Sequence, residues 1–251
     1  MTQLRTRMKP RKEKQMKIHG LAGLTLLDFP GKMACTVFTG YCNFRCPFCH
    51  NATLVLNPSS QPLIKEEEIF NLLDKRKGKL NGIAITGGEP TLQPDLPEFC
   101  RSVKDRGFSV KLDTNGSFPD MVKQLINERL VDYIAMDIKA SPDNYSTATG
   151  IRSFDMSPIF DSVDIIMEEG KNGSIDYEFR TTVVGGIHTG NDFIKIGRWL
   201  KGAKAYFLQS YRSSDDQLNP EGLSTVPLPA MERYRDILLE NIPNTQLRGV
   251  I

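Results

Sequence analysis

The sequence predicts an α/β protein built as an open, partial (β/α)6 barrel. Short apolar runs alternate with amphipathic stretches six times, a rhythm that implies a parallel sheet with right-handed crossovers. Six units are too few to close the eight-stranded barrel, so the sheet stays open; a doubly wound sheet is the alternative that the same count allows. Unusual polar or glycine residues follow the apolar runs one after another, and parallel α/β folds build their ligand sites at the carboxyl ends of the strands.

Each unit can be justified in order. The first strand is expected at residues 34–38, where Thr36 and Val37 bring β-branched side chains, and it runs into a cysteine cluster. The second, 82–86, alternates Ile83 and Ile85 with small residues and ends in Gly87-Gly88-Glu89-Pro90. The third, 109–113, ends in Asp113-Thr114-Asn115-Gly116, a turn sequence by itself. The fourth, 133–138, leads into Asp137-Ile138-Lys139; Asp137 and Lys139 alternate and so share one face. The fifth, 178–184, carries Arg180 amid Tyr177, Phe179 and Val183, and the sixth, 205–209, ends at Gln209 to Tyr211. Helices are expected at 64–77, 95–106, 119–129, 157–169, 192–200 and 229–240, where apolar residues recur at helical spacing.

Composition narrows the class of protein. Thirty-two Lys and Arg against 30 Asp and Glu leave a formal charge of +2 over 251 residues, which sets up no global field demanding nucleic acid or anionic lipid. No run approaches the roughly 18 consecutive apolar residues of a membrane span. Arg5, Arg7, Lys9, Arg11, Lys12, Lys14 and Lys17 crowd the N-terminus against Glu13 alone, and no apolar segment follows to make a secretory signal. Residues 1–16 therefore read as a flexible basic tail, with Met8 or Met16 as possible functional starts, and residues 17–251 as one domain. Five cysteines, three of them within eight residues, make a poor disulfide framework. Without a signal peptide they point to metal or redox chemistry in a reducing, cytoplasmic setting.

Cys42, Cys46 and Cys49 spell C-x3-C-x2-C. Three thiolates are one short of a closed tetrahedral zinc site, which the adjacent His50 would complete; a [4Fe–4S] cluster held by three cysteines would instead keep one iron open to an exogenous ligand. Cys35, in an apolar strand, and Cys100, within a helical pattern, read as core thiols. His188, in a Gly-Gly-Ile-His turn, reads as a loop residue rather than a catalyst.

The cysteine spacing, with aromatic Phe48 before the last cysteine, resembles the signature of radical S-adenosylmethionine (AdoMet) enzymes. The resemblance implies a [4Fe–4S] cluster on Cys42, Cys46 and Cys49 and AdoMet chelated to the open iron. Phe48 would pack near the adenine and His50 would lie beside it, with Gly87, Gly88 and Glu89 at the AdoMet ammonium. Asp113 and Asn115 would line its ribose and methionine side, and Lys139, Arg180 and Tyr211 would complete the AdoMet contacts. Glycines at a strand end allow such a close backbone approach, and a carboxylate such as Glu89 can accept a charge-assisted hydrogen bond. A buried Lys–Asp pair is the plainer account of Asp137 and Lys139.

Leu26-Leu27-Asp28-Phe29-Pro30-Gly31-Lys32, Phe48-Cys49-His50-Asn51, Ile85 to Pro90 and Arg180 to Val184 resemble the activating proteins of glycyl radical enzymes, with those of anaerobic ribonucleoside-triphosphate reductases the nearest in pattern. In this branch Asp113, Thr114 and Asp137 are similar to residues that hold a monovalent cation beside the AdoMet carboxylate, and hard oxygen ligands suit such an ion. The implied reaction is one-electron cleavage of AdoMet, with the electron from a flavodoxin- or ferredoxin-like donor, and hydrogen abstraction from a glycine Cα of the partner enzyme. An activase for a pyruvate formate-lyase-type partner, a small-molecule radical AdoMet enzyme and a non-catalytic zinc or electron-carrier module are the rival readings. Gly185-Gly186 stands where the pattern leads one to expect Pro-Gly.

Overall fold

The computed structural model describes residues 15–250. The basic residues up to Lys14 lie outside the described residues, and Met16, assigned to the tail by sequence, is buried with its amide donating to Glu66 Oε1 at 2.8 Å.

The chain opens with strand β1 (Ile18–Thr25), which pairs antiparallel with β2 (Ala34–Thr39). There follow α1 (Ala52–Leu56), α2 (Glu66–Lys75), β3 (Gly82–Gly87), α3 (Leu96–Asp105), β4 (Ser109–Thr114), α4 (Pro119–Asn127) and β5 (Tyr133–Asp137). The second half comprises α5 (Tyr145–Thr149), α6 (Ser157–Lys171), β6 (Asp176–Gly185), α7 (Gly190–Trp199), β7 (Tyr206–Ser210), β8 (Ser224–Thr225), α8 (Leu228–Leu239) and β9 (Thr245–Arg248). Local chemistry sets several helix starts. Glu66, Glu67 and Glu68 load the first turn of α2 with the negative charge its dipole favours. In α7 the Asp192 carboxylate takes both the Thr189 amide and hydroxyl at 2.9 Å, closing the first turn.

The six expected strands are all present as β2 to β7, each within a residue or two of its expected bounds, and they lie side by side in chain order, all parallel. A doubly wound sheet needs a reversal of strand order. None occurs, so right-handed crossovers put the helices on one face and leave the other face as the concave interior of an open barrel. The sequence expectation missed β1, whose two glycines and half-exposed side chains blur its alternation, and polar β9, which extends the sheet beside β7.

Strand parity divides the side chains. Ile83, Ile85, Val110, Leu112, Ile134 and Met136 are fully buried on one face. The alternate positions carry Ala84, Lys111, Asp113, Ala135, Asp137, Glu178 and Arg180 toward the interior. The floor of that interior is plugged by the β1–β2 turn: Phe29 is buried beside Tyr133, with ring centroids 6.1 Å apart. A Cβ on Gly82 would lie 2.9 Å from the Phe29 ring, so this glycine makes room for the plug. Asp28 accepts a 2.6 Å hydrogen bond from Thr36 and fixes the turn.

Candidate active site

At the carboxyl ends of the parallel strands lies a cavity of about 300 Å³. One wall is the cysteine loop. Its shape comes from backbone contacts: Arg45 N–H donates to Thr149 O at 2.8 Å, and Cys49 N–H to Cys46 O at 3.0 Å. The Arg45 guanidinium caps the loop's own carbonyls at Cys42 and Phe44, 2.7 Å from each. Asn43 and Asn115 bond each other at 3.0 Å, tying the loop to the end of β4. Gly88 is forced by proximity, since a Cβ there would sit 1.9 Å from Tyr41 O. Tyr41 itself holds a left-handed φ of 69°, an unusual conformation for a residue other than glycine.

Cys42, Cys46 and Cys49 all line the cavity, as do Phe48, His50, Gly87 and Gly88. Burial pushes the three thiols upward, Cys42 to about 11 and Cys46 to about 12. A buried thiolate trio therefore requires nearby positive charge, which a metal centre supplies when it deprotonates its thiol ligands. Three soft sulfur donors on one cavity wall are one short of a closed tetrahedral zinc site and fit a [4Fe–4S] cluster that keeps one iron open. His50 directs Nε2 at the Arg212 carbonyl, 2.7 Å away.

The opposite wall is made of strand ends and charge. The β5·β6 register sets Asp137 directly beside Arg180, and Arg180 Nε donates to Asp137 Oδ1 at 2.5 Å while its Nη2 lies 3.0 Å from Asp113 Oδ2. Lys139 takes the other Asp137 oxygen at 2.8 Å, and buried Lys111 takes Asp113 Oδ1. The result is an alternating ladder, Lys111–Asp113–Arg180–Asp137–Lys139. Burial alone would raise both carboxyls; Arg180 first, then the lysines, hold them below the usual carboxylate range. Asp113, Asp137, Lys139 and Arg180 line the cavity, with Lys111 behind them. The Lys–Asp pair expected as the plainer reading is present. All four Asp oxygens are engaged by the chain's own cations, so a monovalent cation at Asp113, Thr114 and Asp137 would have to displace one of them.

Glu89 joins the two walls. It is buried, and its Oε1 accepts from the Thr91 amide (3.0 Å), Thr91 hydroxyl (2.5 Å) and Thr114 hydroxyl (2.7 Å), its Oε2 from the Asn115 amide (2.7 Å). Burial raises its carboxyl and these donors pull it down; four donors converging on two oxygens fit the ionised form. Glu89 lines the cavity, and the same hydrogen bonds make it a clamp on the ends of β3 and β4. Thr114 and Asn115 line the cavity beside it.

Tyr211 is the expected site residue that the structure places elsewhere. Its ring stacks on His50, centroids 6.0 Å apart, and its hydroxyl donates to Gln217 at 2.8 Å, outside the cavity lining. The chain leaves the strand after Ser210, so period-two alternation no longer carries position 211 inward. Gln209, expected at the rim as the end of the sixth strand, lines the cavity, and Thr182, Asn51 and Phe44 line it without having been assigned a site role. Thr182 could have been found, because it lies two residues beyond Arg180 on the same strand face and pairs with Gln209 across β6·β7. His188 is a backbone support: its Nδ1 accepts from Val184 N–H at 3.0 Å, which leaves Nε2 to donate to the Lys139 carbonyl at 2.8 Å. Cys35 and Cys100 are buried in the core.

Comparison with known proteins agrees with this site. The family model of the Radical SAM superfamily matches residues 36–200. A protein of Methanocaldococcus jannaschii, provisionally named a glycyl-radical enzyme activating enzyme, is 33% identical over 221 residues, covering 88% of this chain and 89% of its own. The pyruvate formate-lyase-activating enzyme of Clostridium pasteurianum is 30% identical over 149 residues, 55% of this chain and 60% of its own. Among solved structures, Streptococcus suis SuiB bound to S-adenosylmethionine superimposes with a TM-score of 0.63 at 14% identity, covering 83% of this chain and 48% of that one, a likeness of fold. Motif, topology and relatives agree: the chain belongs to the Radical SAM superfamily and, within it, to the glycyl-radical enzyme activating group.

Proposed function

We propose that this chain activates a glycyl radical enzyme, and that its partner is an anaerobic ribonucleoside-triphosphate reductase. The observation that carries the activase reading is the pairing of one three-cysteine wall with one charged ladder wall in a single cavity at the strand ends. The reductase as partner is supported by the Leu26 to Lys32 entry segment and the Arg180 to Val184 strand, whose pattern resembles that branch. Bound together, a [4Fe–4S] cluster and AdoMet supply one-electron reductive cleavage of a sulfonium, and so an oxidant able to take hydrogen from a glycine Cα.

The chain's own contribution is binding, orientation and exclusion of water. Cys42, Cys46 and Cys49 would hold the cluster. Lys139 at the end of the ladder and Arg180 at its centre suit an amino-acid carboxylate, and the cavity-lining backbone at Gly87 and Gly88 suits an ammonium. Phe48 offers an aromatic face for adenine. No proton transfer is required of a side chain, in keeping with a cavity wall whose carboxylates are all ion-paired or hydrogen-bonded within the chain. A flavodoxin- or ferredoxin-like donor in an anaerobic cytoplasm would provide the electron. Among the described residues no helix is long and apolar enough to cross a membrane.

The test is EPR of anaerobically reconstituted, reduced protein with and without AdoMet, with 5′-deoxyadenosine quantified in the same samples. Candidate reductase and pyruvate formate-lyase-type partners are then added separately. An AdoMet-sensitive [4Fe–4S] signal, product lost in Cys42→Ala, and a glycyl doublet on the reductase alone are expected. A doublet only on the other partner would reassign the substrate; a signal blind to AdoMet would overturn the enzyme reading.

A further inference from the structure

Behind the cysteine wall, one buried group has no evident use. Tyr145, the first residue of α5, is fully buried, and its hydroxyl is one of two buried side-chain polar atoms without a hydrogen-bond partner among the described residues. Leaving a buried hydroxyl unpaired is costly, so a position that retains it calls for an acceptor that arrives later.

The surroundings indicate which acceptor. Helix α5 is the support on which the cysteine loop rests: Thr149 O receives the Arg45 amide, and a Cβ on Gly150 would sit 2.3 Å from Arg45 O. The Phe154 ring packs edge-on to Phe44 (5.3 Å between centroids) and against Tyr145 (5.1 Å), so phenol and loop share one aromatic cluster. Arg45, held by α5 through Thr149 O, directly precedes Cys46, so the helix that carries the phenol is anchored one residue from a cysteine of the wall. Tyr145 does not line the cavity, which sets it apart from the residues facing AdoMet. Other hydroxyls nearby are committed; Tyr206 shares a 2.6 Å bond with Thr181.

We infer that the Tyr145 hydroxyl is a hydrogen-bond donor to the sulfur shell of the cluster at Cys46 and raises its reduction potential. A donor to cluster sulfur stabilises the more negative, reduced state, and hydrogen bonds of this kind are among the levers that set iron–sulfur potentials. This inference rests on the cluster that family membership implies.

Potentiometric EPR titration of reconstituted wild type, Tyr145→Phe and Tyr206→Phe tests it. Tyr145→Phe is expected to keep its iron and shift the midpoint to more negative potential by about tenfold in the reduction equilibrium, about 59 mV for one electron. Its apo form should unfold no earlier than wild type, because only an unpaired oxygen is removed. Tyr206→Phe, which breaks a satisfied bond, should lose thermal stability and leave the potential in place. A second measurement covers the case in which Tyr145→Phe fails to fold. ENDOR of reduced protein with ring-deuterated tyrosine, in a Tyr41→Phe background, should show a deuteron coupled to the cluster at contact distance. A fully loaded Tyr145→Phe with an unmoved midpoint, or no such coupling, overturns the assignment while leaving the cluster intact. Absence of any [4Fe–4S] signal in wild type overturns both.

Discussion

The two walls of the cavity are built on different principles. The cysteine wall is a loop shaped by backbone: Tyr41 in left-handed conformation, Gly88 pressed against Tyr41 O, Arg45 N–H on Thr149 O. Its side chains are thiols whose ionisation burial opposes. The ladder wall is carried by strands. Pleat and register alone put Asp113, Asp137 and Arg180 together, and five alternating charges settle one another. The first wall depends on a group from outside to be electrostatically complete, whereas the second is complete within the chain. Damage to the first should therefore appear in metal content, and damage to the second in binding and folding.

The largest expected effect is all-or-none. Cys46→Ala should lose the cluster signal and AdoMet cleavage together, measured by iron content, EPR and 5′-deoxyadenosine, while apoprotein circular dichroism stays unchanged; retained cleavage would break the division of labour between the walls. Gly88→Ala comes next. Its Cβ would fall 1.9 Å from a backbone oxygen that cannot move away cheaply, so unfolding free energy should drop by about 3 kcal/mol or more, with poor cluster loading as a consequence.

Arg180→Ala removes the centre of the ladder and leaves the carboxylates of Asp113 on β4 and Asp137 on β5 without the cation they share. A loss of about 3 kcal/mol at neutral pH is expected from breaking a mostly buried pair, together with roughly tenfold weaker AdoMet binding by calorimetry. The pH dependence sharpens the test. Asp113 and Asp137 are held below the usual carboxylate range, so their contribution is present above the unfolded value near pH ~3.9 and lost as pH falls through the folded values. The gap between wild type and variant should accordingly narrow on acidification, as read by denaturant unfolding at pH 7 and pH 3. A gap that is constant with pH would mean Arg180 contributes packing rather than charge.

The smallest effect is predicted at the far end of the barrel. Leu27, on the β1–β2 turn, is 90% exposed, so Leu27→Ser should change stability by no more than ~0.5 kcal/mol. Neighbouring Phe29, the buried floor plug, should cost about 3–5 kcal/mol when changed to Ala; thermal melts of the two variants side by side check both.

What could be read in the chain and what could not follow from range. Local rules sufficed for the six parallel strands and their helices, since apolar periodicity is a property of a few consecutive residues, and a loop of three closely spaced cysteines needs no distant partner to be noticed. Strand alternation likewise placed Asp137 with Lys139 before any contact was known. The sequence could not show that Glu89 would also bind Thr91, Thr114 and Asn115, because hydrogen-bond partners 25 and 26 positions apart are chosen by the packing of strand ends. Nor could it show that Tyr211 turns away to His50 and Gln217, which depends on where the chain exits β7.

The chain alone determined the fold class and the family, because each rests on short-range spacing or on strand parity. Tertiary structure decided which polar atoms remain available at the site. Burial makes each of those atoms find a partner, and only the full set of neighbours says whether that partner is another residue, as at Asp113, or is still to come, as at the Tyr145 hydroxyl.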